Sequence, residues 1–132
     1  MDITVSVEQG RVPVTVFRVK GEINVASYEQ LQSQAQQAYA NGVRDLLLDL
    51  AEVPYVSSAG IRALNGIFHL LRSDSPAESD EAMRKGMSDG TFSSPHFKLL
   101  NPSRNVREAL SMAGVDMFLA IHTDLKTAIA SF

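Results

Sequence analysis

Two adjacent serines, Ser57 and Ser58, offer the hydroxyl groups best placed for chemistry in this sequence. They lie between the segment 54–56 and the small residues Ala59 and Gly60, where an apolar strand is predicted to give way to an amphipathic helix. A serine at such a junction ordinarily caps the helix by accepting a hydrogen bond from an amide of the first turn. One helix needs one cap, yet two serines are present, and their small neighbours would keep the surface open to another molecule. Helix N-termini also favour phosphate, through free amides and the positive end of the helix dipole, so we interpret the pair as either a helix cap or a regulatory site.

Enzymatic chemistry finds little support elsewhere in the sequence. His69, His96 and His122 fall in three different predicted elements, without the close spacing of a metal-binding motif. The phosphate-binding patterns G-x-x-x-x-G-K-[ST] and G-x-G-x-x-G are absent, as is the nucleophile pattern G-x-S-x-G. Asp45 and Asp49 face one side of a predicted strand, where such a pair is usually a cap or a solvated edge. We therefore predict no catalytic residue, no metal and no cofactor, and an enzyme is the least favoured class.

The composition is that of one ordinary globular domain. Of the 132 residues, 45% are hydrophobic and 20% are charged, and the absence of cysteine excludes disulfides and thiol chemistry. No apolar run approaches the roughly 20 residues that span a bilayer, and the first residues lack the basic and apolar segments of a signal peptide. A cytoplasmic location is therefore expected. The net charge of −3, without a basic cluster, argues against direct binding of nucleic acid.

The elements that must position the serines alternate between strands and helices. Two-residue periodicity at 3–7 and again at 12–19, across a turn at Gln9 and Gly10, predicts an opening hairpin. The unbroken apolar run at 45–50 predicts a strand buried on both faces, as in a parallel sheet covered by helices. A further strand is predicted at 97–100, a final strand or extended segment at 117–121, and helices at 28–39, 57–72, 106–113 and 124–132. This order predicts an α/β domain with a mixed, mostly parallel sheet of about five strands and about four helices.

Local signals mark several helix ends. Ser27 with Gln30 three residues later matches a capping box, in which each side chain bonds the other residue's backbone amide. Gly42 and Gly114 suit the left-handed position that ends many helices. Thr123 and Asp124 are expected to mark the start of the last helix.

The segment 73–95 interrupts the alternation. It is rich in Ser, Asp, Glu, Gly and Pro, and it carries five acidic and two basic residues. So few apolar side chains cannot offset the entropy of ordering the segment, so we predict a mobile insertion within a single domain spanning 1–132.

The run LLLDLAEVPYVSSAGIRAL at 46–64 closely resembles the core signature of the STAS domain, in particular that of bacterial anti-sigma factor antagonists. The segments 21–24, 99–102 and 106–115 resemble the family's other landmarks, in the family's order. The resemblance covers nearly the whole chain apart from 73–95 and implies the STAS fold.

What the resemblance implies for function is a partner switch in transcription regulation. In that family the unphosphorylated protein binds an anti-sigma factor that is also a serine kinase, and the sigma factor is released. Phosphorylation of a serine at the helix start reverses the binding, and a serine phosphatase removes the phosphate. The family's phosphorylated serine aligns with Ser58, with Ser57 as the alternative, and Asn24 stands where an aspartate is common. The residues expected to contact the partner are Asn24, Tyr55, Val56, Ser57, Ser58, Ala59, Gly60 and Arg62.

Three other functions stay open on the sequence. The protein could be a non-phosphorylated STAS scaffold in a signalling complex, or a cytoplasmic accessory subunit of a membrane transport system. It could also bind a nucleotide or another small ligand.

Overall fold

A five-stranded mixed sheet forms the centre of the molecule. The computed structural model describes residues 1–72 and 93–132. Within them the strands are β1 (Asp2–Gln9), β2 (Pro13–Lys20), β3 (Leu46–Glu52), β4 (Phe97–Leu100) and β5 (Ile121–His122), hydrogen-bonded in that order across the sheet. β1 and β2 are antiparallel and every other neighbouring pair is parallel, which confirms the predicted mixed sheet opened by a hairpin.

Helices follow the strands as the alternation predicts. Within residues 1–72 and 93–132 they are α1 (Tyr28–Ala40), α2 (Ser58–Arg72), α3 (Arg104–Met112) and α4 (Leu125–Ala130), with a turn of 3-10 helix at Val115–Met117. The resulting α/β fold is the one that the sequence predicts. The prediction at 117–121 was too long, because the 3-10 turn takes its first residue and β5 itself has only two residues.

The core lies on both faces of the sheet. Phe17, Leu48 and Leu99 are fully buried on the face that α1, α2 and α3 cover. Val16 and Leu47 are buried on the other face, against α4. Successive residues of β3 thus enter opposite halves of the core, which confirms the prediction of a strand buried on both sides.

The ends of α1 show one correct and one wrong prediction. Gly42 has a φ of 101°, and the amide of Val43 donates to the carbonyl of Ala38 at 3.0 Å, so the left-handed stop is confirmed. The capping box is wrong. Ser27 makes no side-chain cap bond, and the side-chain Nε2 of Gln30 donates instead to the carbonyl of Met1 at 3.0 Å.

Two charged side chains lie within the face toward α4. Asp49 is buried, and its carboxylate accepts from Arg18 Nε at 3.3 Å and from the amide of Ala51 at 3.0 Å. The ammonium of Lys98, on β4, donates to the carbonyl and the hydroxyl of Ser131 at 2.7 and 2.9 Å. Lys98 therefore fastens the end of α4 to the sheet.

Burial also shifts the titration of this cluster. Desolvation lowers the pKa of Lys98 below its ordinary value of 10.5. His122 lies nearby, with Nε2 3.4 Å from Ser131 Oγ, and its pKa is lowered by burial and then by the charge of Lys98. The folded protein therefore resists protonation of His122 more than the unfolded chain does.

Most of the predicted insertion lies outside the described residues. Of the segment 73–95, the structure describes only 93–95. There the amide of Ser94 donates to the carbonyl of Phe118 at 2.8 Å, and Ser94 Oγ accepts from the amide of Phe97 at 3.2 Å. Residues 93–95 are thus an ordered lead-in to β4.

Candidate functional site

Two loops are joined side by side at the carboxyl edge of the parallel strands. The loop after β2 and the loop after β3 meet in an isolated parallel bridge between Ile23 and Val56. The amide of Ile23 donates to the carbonyl of Tyr55 at 3.0 Å, and the amide of Ser57 donates to the carbonyl of Ile23 at 2.9 Å. The bridge fixes Asn24, which follows Ile23, beside the start of α2.

Ser57 performs the ordinary capping task. Its Oγ accepts a hydrogen bond from the amide of Gly60 at 3.2 Å, and its carbonyl accepts from the amide of Ile61 at 2.9 Å. Its side chain is half-buried in this position. One of the two interpretations drawn from the sequence, a helix cap, therefore describes Ser57.

Ser58 is the first residue of α2 and is exposed. Within residues 1–72 and 93–132 its hydroxyl makes no hydrogen bond to another protein group. The first turn of the helix carries no acidic side chain that would oppose a negative charge on this hydroxyl. The two neighbouring serines thus have different environments: the hydroxyl of Ser57 caps α2, whereas the side chain of Ser58 is exposed to solvent.

The small residues after the serines are internal, and the expectation that they keep the surface open is wrong. A Cβ on Gly60 would lie 2.5 Å from the carbonyl oxygen of Ile23 and 2.8 Å from Cγ1 of Val56. Ala59 and Val56 are also buried, at 4% and 3% exposure. Three of the residues predicted to contact a partner therefore lie beneath the surface, and Gly60 allows α2 to pack against the loop after β2.

Asn24 organises its own loop. Its Oδ1 accepts from the amide of Ala26 at 2.9 Å, and its Nδ2 donates to the carboxylate of Glu22 at 3.0 Å. The backbone amide of Asn24 donates to Ser27 Oγ at 3.0 Å, and Ser27 Oγ in turn donates to the carbonyl of Glu22. Asn24 is half-buried, so part of it remains at the surface beside the serines.

Apolar side chains at this edge point to solvent. Tyr55 is 47% exposed and Val25 is 76% exposed, one on each of the two bridged loops. Val25 was not predicted, because a single valine in a loop carries no periodic signal. Asn105, also unpredicted, donates from Nδ2 to the carbonyl of Pro54 at 3.1 Å and holds α3 against the loop that bears Tyr55.

The accessible part of the site is therefore smaller than the set predicted from sequence. We define the edge surface as Asn24, Val25, Tyr55, Ser57, Ser58 and Arg62. Arg62 lies on α2 one turn beyond Ser58 and is exposed. The surface combines two exposed apolar side chains with hydroxyl, amide and guanidinium groups, a mixture typical of protein interfaces.

The histidines and acids considered for catalysis do not meet. His69 is exposed on α2, whereas His96 Nδ1 lies 2.9 Å from Asp45 Oδ1 at the opposite ends of their strands from the edge surface. His122 lies by the end of α4. In the part of the chain that the structure describes, no group of three or more histidine, aspartate or glutamate residues could hold a metal ion.

Solved structures share this arrangement of strands and helices. An anti-sigma factor antagonist from Mycobacterium paratuberculosis matches with a TM-score of 0.69 and 21% identity, over 98% of this chain and 93% of that one. SpoIIAA of Bacillus, solved in unphosphorylated and phosphorylated forms, matches in the unphosphorylated form with a TM-score of 0.64 and 17% identity, over 94% and 92% of the two chains. A sulfate transporter family protein from Wolinella succinogenes matches at 0.53 and 15%, over 89% and 82%. The fold is thus that of the SpoIIAA-like α/β domains.

The family follows from the sequence itself. The STAS domain profile matches residues 5–75, more than half of the chain, and the chain belongs to the STAS domain family. No curated protein matches it in sequence. Across 1–72 and 93–132, none of the helices has the length and hydrophobicity required to cross a membrane.

Proposed function

We propose that this protein is an anti-sigma factor antagonist and that phosphorylation of Ser58 prevents it from binding its partner. The unmodified protein binds an anti-sigma factor that is also a serine kinase, and the sigma factor is released. The kinase transfers the γ-phosphoryl group of ATP to Ser58 Oγ, a base takes the hydroxyl proton, and ADP leaves. A serine phosphatase then uses water to return the hydroxyl and inorganic phosphate. Sigma factors act on the transcription machinery, so the proposal includes a cytoplasmic location.

The observation that carries the proposal is the difference between the two serines. Ser58 Oγ is exposed and makes no hydrogen bond within the described residues, whereas Ser57 Oγ caps the helix. A kinase needs a hydroxyl that it can reach without breaking the fold. Modification of Ser58 leaves the bond between Ser57 and the amide of Gly60 in place, so α2 keeps its start.

The edge surface suits a protein partner because it offers exposed apolar side chains beside the hydroxyl of Ser58. Tyr55 and Val25 offer area that a partner would bury, and exposed tyrosines are frequent anchors of interfaces. Ser58 lies at the start of the helix that follows Tyr55, within the same edge. A partner that covers the apolar side chains therefore also covers the hydroxyl.

Phosphorylation would oppose that complex through charge. A phosphoserine carries about −1.5 to −2 charges at neutral pH. Burial of such a group against a partner without a matching cation is costly, since the water that solvated it must be removed. Within the free protein the same charge is tolerated, because the helix N-terminus is a favourable place for an anion. The modification thus weakens binding and spares the fold.

The test compares wild type, Ser58→Ala and Ser58→Asp for binding to the anti-sigma factor kinases of the source organism, by calorimetry. We expect wild type and Ser58→Ala to bind alike. Ser58→Asp should bind about 30-fold more weakly, because an unpaired interfacial charge costs about 2 kcal/mol or more. Equal affinities for all three would contradict the proposal.

Intact mass after incubation with kinase and ATP distinguishes the switch from a non-phosphorylated scaffold. Wild type and Ser57→Ala should gain one phosphoryl group, and Ser58→Ala should gain none. A phosphoryl group that Ser58→Ala keeps and Ser57→Ala loses would assign the modification to Ser57.

A further inference from the structure

Arg62 occupies the helical position from which a guanidinium reaches Ser58. The two residues are four apart on α2, a separation at which side chains share one face of a helix with Cβ atoms about 5–6 Å apart. Side chains of an α-helix tilt toward its N-terminus. The helix backbone therefore directs a side chain at position 62 toward the turn that begins at Ser58.

The guanidinium of Arg62 has no competing partner in the described residues. It is exposed, and it makes no hydrogen bond or ion pair there. Two other arginines are engaged in ion pairs, Arg18 with Asp49 at 3.3 Å and Arg104 with Glu108 at 3.5 Å. A new anion one turn away would thus pair with Arg62 without first breaking an existing contact.

We propose that Arg62 is the intramolecular partner of the phosphate on Ser58, an inference that rests on the phosphorylation proposed above. In the unmodified protein Arg62 is free to face a binding partner. In the phosphorylated protein it turns to the phosphate, as arginine does with phosphate oxygens through its fork of N–H donors. Phosphorylation would then change the edge surface in two ways: it adds a phosphate, and it draws the guanidinium of Arg62 away from a binding partner.

The pairing is measurable on the protein alone. Phosphoserine is placed at position 58 by genetic code expansion, and the titration of the phosphate is followed by 31P NMR in the wild-type background, in Arg62→Gln and in Arg11→Gln. Arg11 is the matched control, since it is an exposed arginine before β2, at the opposite end of that strand from the edge surface. Arg62→Gln should move the titration midpoint up by about 0.3 pH unit, the size expected of an exposed i,i+4 pair with a divalent anion. Arg11→Gln should leave the midpoint at the wild-type value.

Ionic strength provides the second readout. The difference between wild type and Arg62→Gln should shrink in 1 M salt, where the screening length is about 3 Å. Midpoints that coincide at low salt, or an equal effect of Arg11→Gln, would overturn the pairing. The measurement needs neither kinase nor anti-sigma factor, so it separates a failure of this inference from a failure of the proposed function, which the binding and mass experiments decide.

Discussion

Substitution of Gly60 by alanine tests how the site is built. The added Cβ would lie 2.5 Å from the carbonyl oxygen of Ile23 and 2.8 Å from a methyl group of Val56, far inside van der Waals contact. Overpacking of this kind costs about 1–3 kcal/mol, and displacement of the carbonyl also weakens its hydrogen bond from Ser57, worth about 1 kcal/mol. The better helix propensity of alanine returns at most about 1 kcal/mol. We expect the free energy of unfolding to fall by about 2 kcal/mol.

The melting temperature gives an independent estimate of the same change. An unfolding entropy of about 2.1 cal/mol/K per residue gives about 0.28 kcal/mol/K for 132 residues, so a loss of about 2 kcal/mol lowers Tm by about 7 °C. Urea titration followed by circular dichroism measures the free energy directly, with an unchanged m-value if only the packing is altered.

Gly66 on the same helix is the matched control. A Cβ there would meet only the Nε2 atom of Gln32 at 2.7 Å, the end of a flexible side chain, with the next atom 3.8 Å away. Gly66→Ala should therefore be neutral or stabilise by about 0.5–1 kcal/mol through helix propensity. Gly60→Ala is therefore expected to destabilise the protein, and Gly66→Ala is not. A Gly60→Ala variant as stable as wild type would show that the Ile23 carbonyl does not exclude a side chain at position 60.

Three further predictions concern other parts of the molecule. Ser57→Ala should lose about 1 kcal/mol of unfolding free energy with its cap, while Ser58→Ala should stay within about 0.5 kcal/mol of wild type in the same urea titration. Lys98→Met should speed amide hydrogen exchange in α4, because the carbonyl of Ser131 loses its buried donor; an unchanged rate there would mean that Lys98 does not hold the helix. Since the pKa of His122 is lowered in the folded state, the unfolded chain binds the proton first, and stability should fall as the pH drops below its ordinary pKa of 6.5. His122→Gln should reduce this loss of stability between neutral pH and about pH 5, measured as the urea midpoint. If the midpoints of wild type and His122→Gln changed equally with pH, His122 would not be the cause.

The sequence predicts those features that depend on local patterns. The apolar run of β3 indicated burial on both faces, and the structure places Leu47 and Leu48 in opposite halves of the core. Gly42 indicated a left-handed helix stop, and its φ is 101°. In each case the structure is decided by residues that are close together in the sequence, within one strand or one helical turn.

Features that depend on distant partners were missed. The side chain of Gln30 bonds the carbonyl of Met1, 29 residues away, and so it does not complete the capping box with Ser27. The buried role of Gly60 depends on a carbonyl of the loop after β2, which no pattern near Gly60 reveals. The exposure of Val25 likewise follows from how its loop crosses the edge of the sheet.

The bridge between Ile23 and Val56 joins two segments that are distant in sequence, so the edge surface does not exist before the chain folds. A synthetic peptide spanning 53–64 would contain Tyr55 and both serines, yet it would lack the backbone carbonyl that receives the amide of Ser57. The edge surface is assembled from two stretches of chain that only the completed β2–α1–β3 crossover brings together. A nascent or misfolded chain would thus carry every side chain of the site without presenting the surface. If the edge surface binds a partner as proposed, only the folded protein would offer the complete surface.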